Sequence, residues 1–113
     1  MHEINLVELS RFVLNEAFCI GQETVATGIV QRGFIEPGDE LVVVTPSGKH
    51  SVVKCSRLDS INSESGQMMS CDLAGEGDAV GLWLTGITKQ QLEPGSLFCR
   101  FQLIELFLKK GKH

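Results

Sequence analysis

Along the segment TVATGIVQRGFIEPGDELVVV, residues 24–44, Val25, Thr27, Ile29 and Gln31 alternate with Ala26, Gly28 and Val30. A period of two puts successive side chains on opposite faces of a strand. The run stops at Gly33, turns through Glu36-Pro37-Gly38-Asp39 and resumes as another strand. Comparable alternating or β-branched runs at 11–20, 24–32, 40–45, 50–57, 79–85 and 97–104 predict six strands. Ala26 and Gly28 suit the crowded interior of a barrel, which leaves Val25 and Ile29 facing outward or beneath another segment. Helical periodicity is sparse. Ile4, Val7 and Leu9 support a short helix over residues 4–12, and residues 88–92 one helical turn, neither with the length of a core helix.

Turn chemistry agrees with an all-β reading. Glu36-Pro37-Gly38-Asp39, Gly75-Glu76-Gly77-Asp78 and Glu93-Pro94-Gly95-Ser96 each place Gly after Pro or an acidic residue, directly before a predicted strand. Pro presets φ at the second turn position, and Gly accepts a positive φ at the third. Pro46-Ser47-Gly48-Lys49 separates two apolar runs as a hairpin loop does. The polar stretch DSINSESG, residues 59–66, reads as a surface loop. Many short strands punctuated in this way predict a small closed antiparallel β-barrel of about six to seven strands, because closure removes exposed edges.

Composition narrows the picture. At 113 residues the chain has room for one core, and no run approaches the roughly 20 apolar residues of a membrane span. The N-terminus, MHEINLVELS, carries acidic residues where a secretory signal is basic and then apolar, so the expected location is cytoplasmic. A net charge of −4, from 10 basic and 14 acidic side chains, argues against non-specific nucleic-acid binding. The basic cluster Lys109-Lys110-Gly111-Lys112 reads as a solvated tail. Cys19, Cys55, Cys71 and Cys99 form no CxxC pair and read as reduced, mostly structural thiols; no metal site and no cofactor are expected.

Candidate catalytic groups are Asp59 with Ser60, His50 near Lys54, and the four thiols. None forms a nucleophile, base and orienting group at recognisable spacing, so no catalytic residue is assigned. His50, after a hairpin turn, reads as solvent-facing. Trp83 between Leu82 and Leu84 reads as packing before nucleobase platform, and Met68-Met69 as filler for a core gap. Asp39 and Asp78 belong to turns, where their carboxylates accept backbone hydrogen bonds.

The combination of Phe18-x-Ile20, Thr24-Val25-x-Thr27-Gly28, Arg32-Gly33, Gly38-Asp39, Gly77-Asp78, Val80-Gly81 and Gly86-Ile87 resembles the second domain of elongation factor Tu and related translational GTPases. The resemblance runs from about Phe12 to Arg100 and implies a small antiparallel barrel. The phosphate loop GxxxxGK[ST] is missing, so the sequence excludes a GTPase of that class. A free-standing accessory domain and an excised one would read alike. The resemblance also implies a site for the aminoacylated end of tRNA, with Thr27 at the family's threonine. Of the acidic pair before Phe18, one member falls on Asn15 and the other on Glu16. The family's glutamate falls on Arg57, its asparagine on Ala79, and its glycine-arginine-glycine turn is shortened to Gly21-Gln22-Glu23. With those departures, aminoacyl-tRNA binding is not expected.

The expected organisation is an N-terminal extension at 1–10, a barrel at 11–104 and a tail at 105–113. The expected function is a non-catalytic interaction module docking on a protein or ribonucleoprotein partner, with contact to ribosome, RNA or a translation factor. Its candidate surface comprises Val25, Thr27, Ile29, Arg32, Arg57, Phe101 and Phe107. The alternatives are a structural adaptor and, third, a small enzyme. In the adaptor, the apolar run 97–108 pairs with a second copy to make a homodimer. A different account of that run has residues 1–10 folding back over it as a strand or short helix.

Overall fold

The computed structural model describes the backbone of residues 2–107 and the side chains of residues 5–103. Its elements are β1 (His2–Ile20), β2 (Glu23–Arg32), β3 (Phe34–Ile35), β4 (Glu40–Val44), β5 (His50–Ile61), β6 (Met68–Cys71), β7 (Ala74–Gly75), β8 (Ala79–Thr85) and β9 (Leu97–Phe107), with a 3-10 turn at Lys89–Gln91. Strands β4, β9, β1, β2, β8 and β5 are hydrogen-bonded in that order, and β5 returns to β4, closing an antiparallel barrel. Along one edge β5 pairs with β8; along the other it pairs with β4 over residues 50–54 and then with β6 over residues 58–61. Among the described residues no helix is long and apolar enough to cross a membrane.

Inside the ring, Phe12 and Phe98 meet edge to face with centroids 5.4 Å apart. Leu14, Ala26, Val30, Leu41, Leu58, Leu82 and Leu84 pack around them. Ala26 and Gly28 do face this interior. Gly28 lies opposite Leu14, where an added Cβ would run into the Val13 carbonyl oxygen and come within 2.8 Å of the Phe12 ring.

The three predicted turns form with one geometry. In each, the fourth residue donates its amide to the first residue's carbonyl, Asp39 to Glu36 at 3.2 Å, Asp78 to Gly75 at 3.0 Å and Ser96 to Glu93 at 3.0 Å. Its side chain accepts the first residue's amide in return. Each turn is then clipped to a strand by two backbone bonds. The amides of Gly38, Gly77 and Gly95 donate to the carbonyls of Cys55, Val30 and Leu14, while the carbonyls of Asp39, Asp78 and Ser96 accept the amides of those same three residues. Beside each clip the strand carries an extra residue: Ser56, Gln31 and Asn15 interrupt the β5–β8 and β1–β2 registers. Such bulges bend a strand and sharpen its twist, which turns the corners of the barrel.

Two segments differ from expectation. Residues 4–12 form part of β1 rather than a helix, because His2–Ser10 pairs with residues 100–107 of β9. A helix there would leave that stretch of β9 unpaired. The apolar C-terminal run is thus paired in cis by the N-terminal segment, the arrangement that the fold-back account required. Beyond Arg11, where β1 leaves β2, β1 and β9 continue as a ribbon on which Leu6 and Leu103 face each other, both exposed. Asp59 and Ser60 also lie in a strand, since Asp59 is buried with partners for its carboxylate, and the loop shrinks to residues 62–67. The cluster Lys109-Lys110-Gly111-Lys112 lies outside the described residues.

Two expectations follow from the packing. Gly28→Ala forces Phe12 and the β1 backbone apart and should lower unfolding free energy by about 1–3 kcal/mol, measurable by urea denaturation. Burial pushes the Cys55 and Cys99 thiols up from 9.0 to about 11. Unfolded thiols ionise first, so the stability present below pH 9 is lost as pH rises through the folded value near 11. The slope approaches about 1.4 kcal/mol per pH unit for each thiol, and Cys55→Ala should make it shallower in denaturation curves recorded across that range.

Candidate functional site

The bulge at Asn15 sits where β1 crosses β2. Leu14 pairs with Gly28 and Glu16 with Thr27, so Asn15 has no partner on β2. The hydroxyl of Thr27 donates to the Glu16 carbonyl at 3.2 Å and ties the strands together across the irregularity. Thr27 and Ile29 project from the outer face of β2, next to Ala79 and Gly81 of β8. The hairpin of β5 and β6 stands over this face. Gly81 has no side chain, and the Met68 methyl comes within 2.5 Å of where its Cβ would be.

Between the β1 bulge and this hairpin lies an open groove of about 800 Å³. Thr27, Ile29 and Ala79 line it together with Asn15, Glu16 and Phe18 on one side and Ile61, Gly66 and Met68 on the other. Its lining is mainly apolar, and Glu16 is the one charged residue among the described lining. Groove floors of this kind supply contact area, with a few polar groups to set orientation.

One step along the same face, Phe18, Val25, Trp83 and Arg57 form a cross-strand row over β1, β2, β8 and β5. The Arg57 guanidinium lies 4.8 Å from the Trp83 ring centre, within the range of a cation–π contact. Asp59, only 2% exposed, accepts from Arg57 Nε at 3.0 Å and from the Trp83 indole at 2.8 Å. A buried carboxylate needs such partners, because leaving it unpaired in a low-dielectric site is costly.

The expected surface residues divide between several places. Thr27 and Ile29 meet in the groove, Ile29 at 45% exposure. Arg57 sits in the neighbouring row. Val25 does not present a surface: it is fully buried on the outer face, with Phe18 and Trp83 beside it. Arg32 lies at another end of the barrel, where its guanidinium is 3.4 Å from Glu8. Glu8 is also held by Arg11 at 3.0 Å, and although burial raises its pKa, the hydrogen bond and charge of Arg11 bring it below the usual value. Phe101 is half-buried on the ribbon, opposite Glu8; the side chain of Phe107 lies outside the described residues.

Sequence reasoning missed the wall made by Ile61, Gly66 and Met68, and the partners of Asp59. The available signal was Gly81 within the Trp83 strand: a missing side chain in a strand marks a place where something else comes close. Of the catalytic candidates, His50 is exposed at the start of β5, and the Ser60 hydroxyl donates to the Met69 carbonyl at 3.3 Å.

No family model matches the chain. Solved structures do. Elongation factor SelB from Methanococcus maripaludis in its apo form aligns over 80% of this chain with 28% identity and a TM-score of 0.65. The same factor in complex with the GTP analogue GPPNHP gives 27% identity and 0.66 over 80%. A bacterial selenocysteine-specific elongation factor, EF-Sec, covers 82% with a TM-score of 0.65, but its 21% identity shows the fold alone. The chain spans only 18% of the SelB structures and 15% of EF-Sec. The fold is a translation-factor-like barrel of the elongation factor Tu second-domain type, as the sequence motifs implied.

Trp83→Phe keeps the packing of the ring and removes one donor from buried Asp59. Loss of a hydrogen bond to a charged group should cost about 1–3 kcal/mol, read from thermal or urea unfolding followed by circular dichroism. In Asp59→Asn, the same Trp83 substitution should cost less, because the acceptor is no longer charged.

Proposed function

We propose that this barrel is a non-catalytic interaction module of the cytoplasm that docks a component of the translation apparatus in the outer-face groove. The observation that carries the reading is the groove itself: an apolar floor and wall of about 800 Å³, on a barrel of translation-factor type. Contact area without a reactive constellation is what a docking surface requires. The buried thiols, with pKa values near 11, are not thiolates at neutral pH, which argues against their use as nucleophiles.

The groove is not proposed as a site for aminoacyl-tRNA. The departures of the sequence at Asn15, Ala79 and the Gly21-Gln22-Glu23 turn change the residues that the resemblance calls for, and Arg57 brings a cation where a carboxylate is implied. Retention of charged tRNA on a filter at moderate salt would contradict this.

Ribosome sedimentation at low and moderate salt tests the main reading. The protein should migrate with ribosomal subunits or with a translation factor, and Ile29→Glu, which places a charge on the exposed groove floor, should reduce the bound fraction at least about tenfold. Recovery of the protein at the top of the gradient with neither ribosomal subunits nor a translation factor bound to it, even at low salt, would refute a translational partner.

A further inference from the structure

Arg57 differs from an ordinary surface arginine in being held on two sides. Trp83 supports one face of its guanidinium and Asp59 binds its Nε, while Asp59 is itself fixed by the Trp83 indole. The terminal nitrogens have no hydrogen-bond partner among the described residues, and the side chain is 51% exposed. A guanidinium immobilised in this way loses little further rotamer freedom when it binds an anion, and its free fork matches the two oxygens of a carboxylate.

Distance along the strands links this cation to the groove. Arg57 and Trp83 occupy the row next to Thr27 and Gly81, one two-residue step away on the same face, or about 7 Å in extended backbone. Side chains at positions i and i+2 of an extended peptide have the same spacing. Met68, flexible and unbranched, stands at the boundary over Gly81 and can move without breaking a strand.

Charge selects the occupant. Glu16 lines the groove, Glu23 lies near Ser56, and the chain as a whole carries −4. A polyphosphate backbone needs several cations, whereas a single carboxylate needs one. The apolar groove equally suits an aliphatic side chain.

We infer that Arg57 is a carboxylate-recognition residue, taking the acidic side chain of an extended protein segment whose apolar residue two positions away lies at the near end of the groove, against Thr27 and Met68. The inference rests on the docking reading above and names the chemistry of its partner.

The test uses the whole chain, labelled for NMR, and two short capped peptides, Gly-Leu-Gly-Glu-Gly and Gly-Glu-Gly-Leu-Gly, covering both chain directions. Trp83 is the single tryptophan, so its indole resonance reports on the Arg57 row, and the Thr27 and Met68 methyl groups report on the near end of the groove. One peptide should shift both sets together. Its counterpart with Gln in place of Glu should bind roughly tenfold more weakly, the loss expected for a charge-assisted bidentate pair. This comparison leaves the protein unaltered. Arg57→Lys, which keeps the positive charge near Asp59 but not the fork, should bring the Glu and Gln peptides close to equal affinity.

Equal binding of the Glu and Gln peptides to the unmodified protein would overturn the assignment. So would an unmoved indole resonance up to about 5 mM peptide, above the Kd expected for so small a contact. Tighter binding of hexauridylate than of either peptide, with the same resonances shifted, would also overturn it and give the site to RNA. Failed titrations alongside ribosome co-sedimentation would defeat this inference alone; a positive titration without co-sedimentation would defeat the translational partner alone.

Discussion

Paired backbone hydrogen bonds between three turns and three strands hold the barrel in its closed form. Gly38 and Asp39 grip Cys55, Gly77 and Asp78 grip Val30, and Gly95 and Ser96 grip Leu14. Each gripped residue places its side chain in the common core, and each adjoins a bulge residue. The turns therefore do more than reverse the chain. They set where β4, β8 and β9 begin and which residues face inward, and a one-residue slip would carry apolar side chains to the opposite face.

The groove depends on one of these clips. When Ser96 and Gly95 take both backbone groups of Leu14, the chain continues through unpaired Asn15 before rejoining β2 at Glu16 and Thr27. The wall opposite comes from a different departure from regularity: β5 outruns its pairing with β4 and acquires β6 as a new neighbour, which carries Met68 over Gly81. An interrupted register on one side and an added strand on the other make a depression on a barrel whose interior is filled by side chains.

The polar groups on this face follow from the same architecture. Gly81 lies opposite Asp59, and pairing with β6 covers the strand, so the Asp59 carboxylate is withdrawn from water and depends on Arg57 and Trp83. Arg57 is held in place because its partner is buried, which distinguishes it from Arg32, whose 60% exposed side chain pairs with Glu8 at the end of the barrel.

Local chemistry made much of this legible in advance. Positive-φ glycines after Pro or Glu announced the three turns, and period-two runs announced strands at 24–32, 40–45 and 79–85, because both signals depend on a few adjacent residues. The short strands β3, β6 and β7, of two to four residues, are too brief to show a period. Ile4, Val7 and Leu9 fit a helical stripe on their own, and only the distant partner at 100–107 makes them a strand. Likewise Asp59 reads as loop until Arg57 and Trp83 are placed beside it. The sequence by itself thus determined the barrel class, the turns and the inward face of β2, all properties of neighbouring residues. Tertiary structure alone decided the N-terminal strand, the groove wall at Met68 and the fixed guanidinium of Arg57. Each of these arises from residues that meet only when the barrel closes.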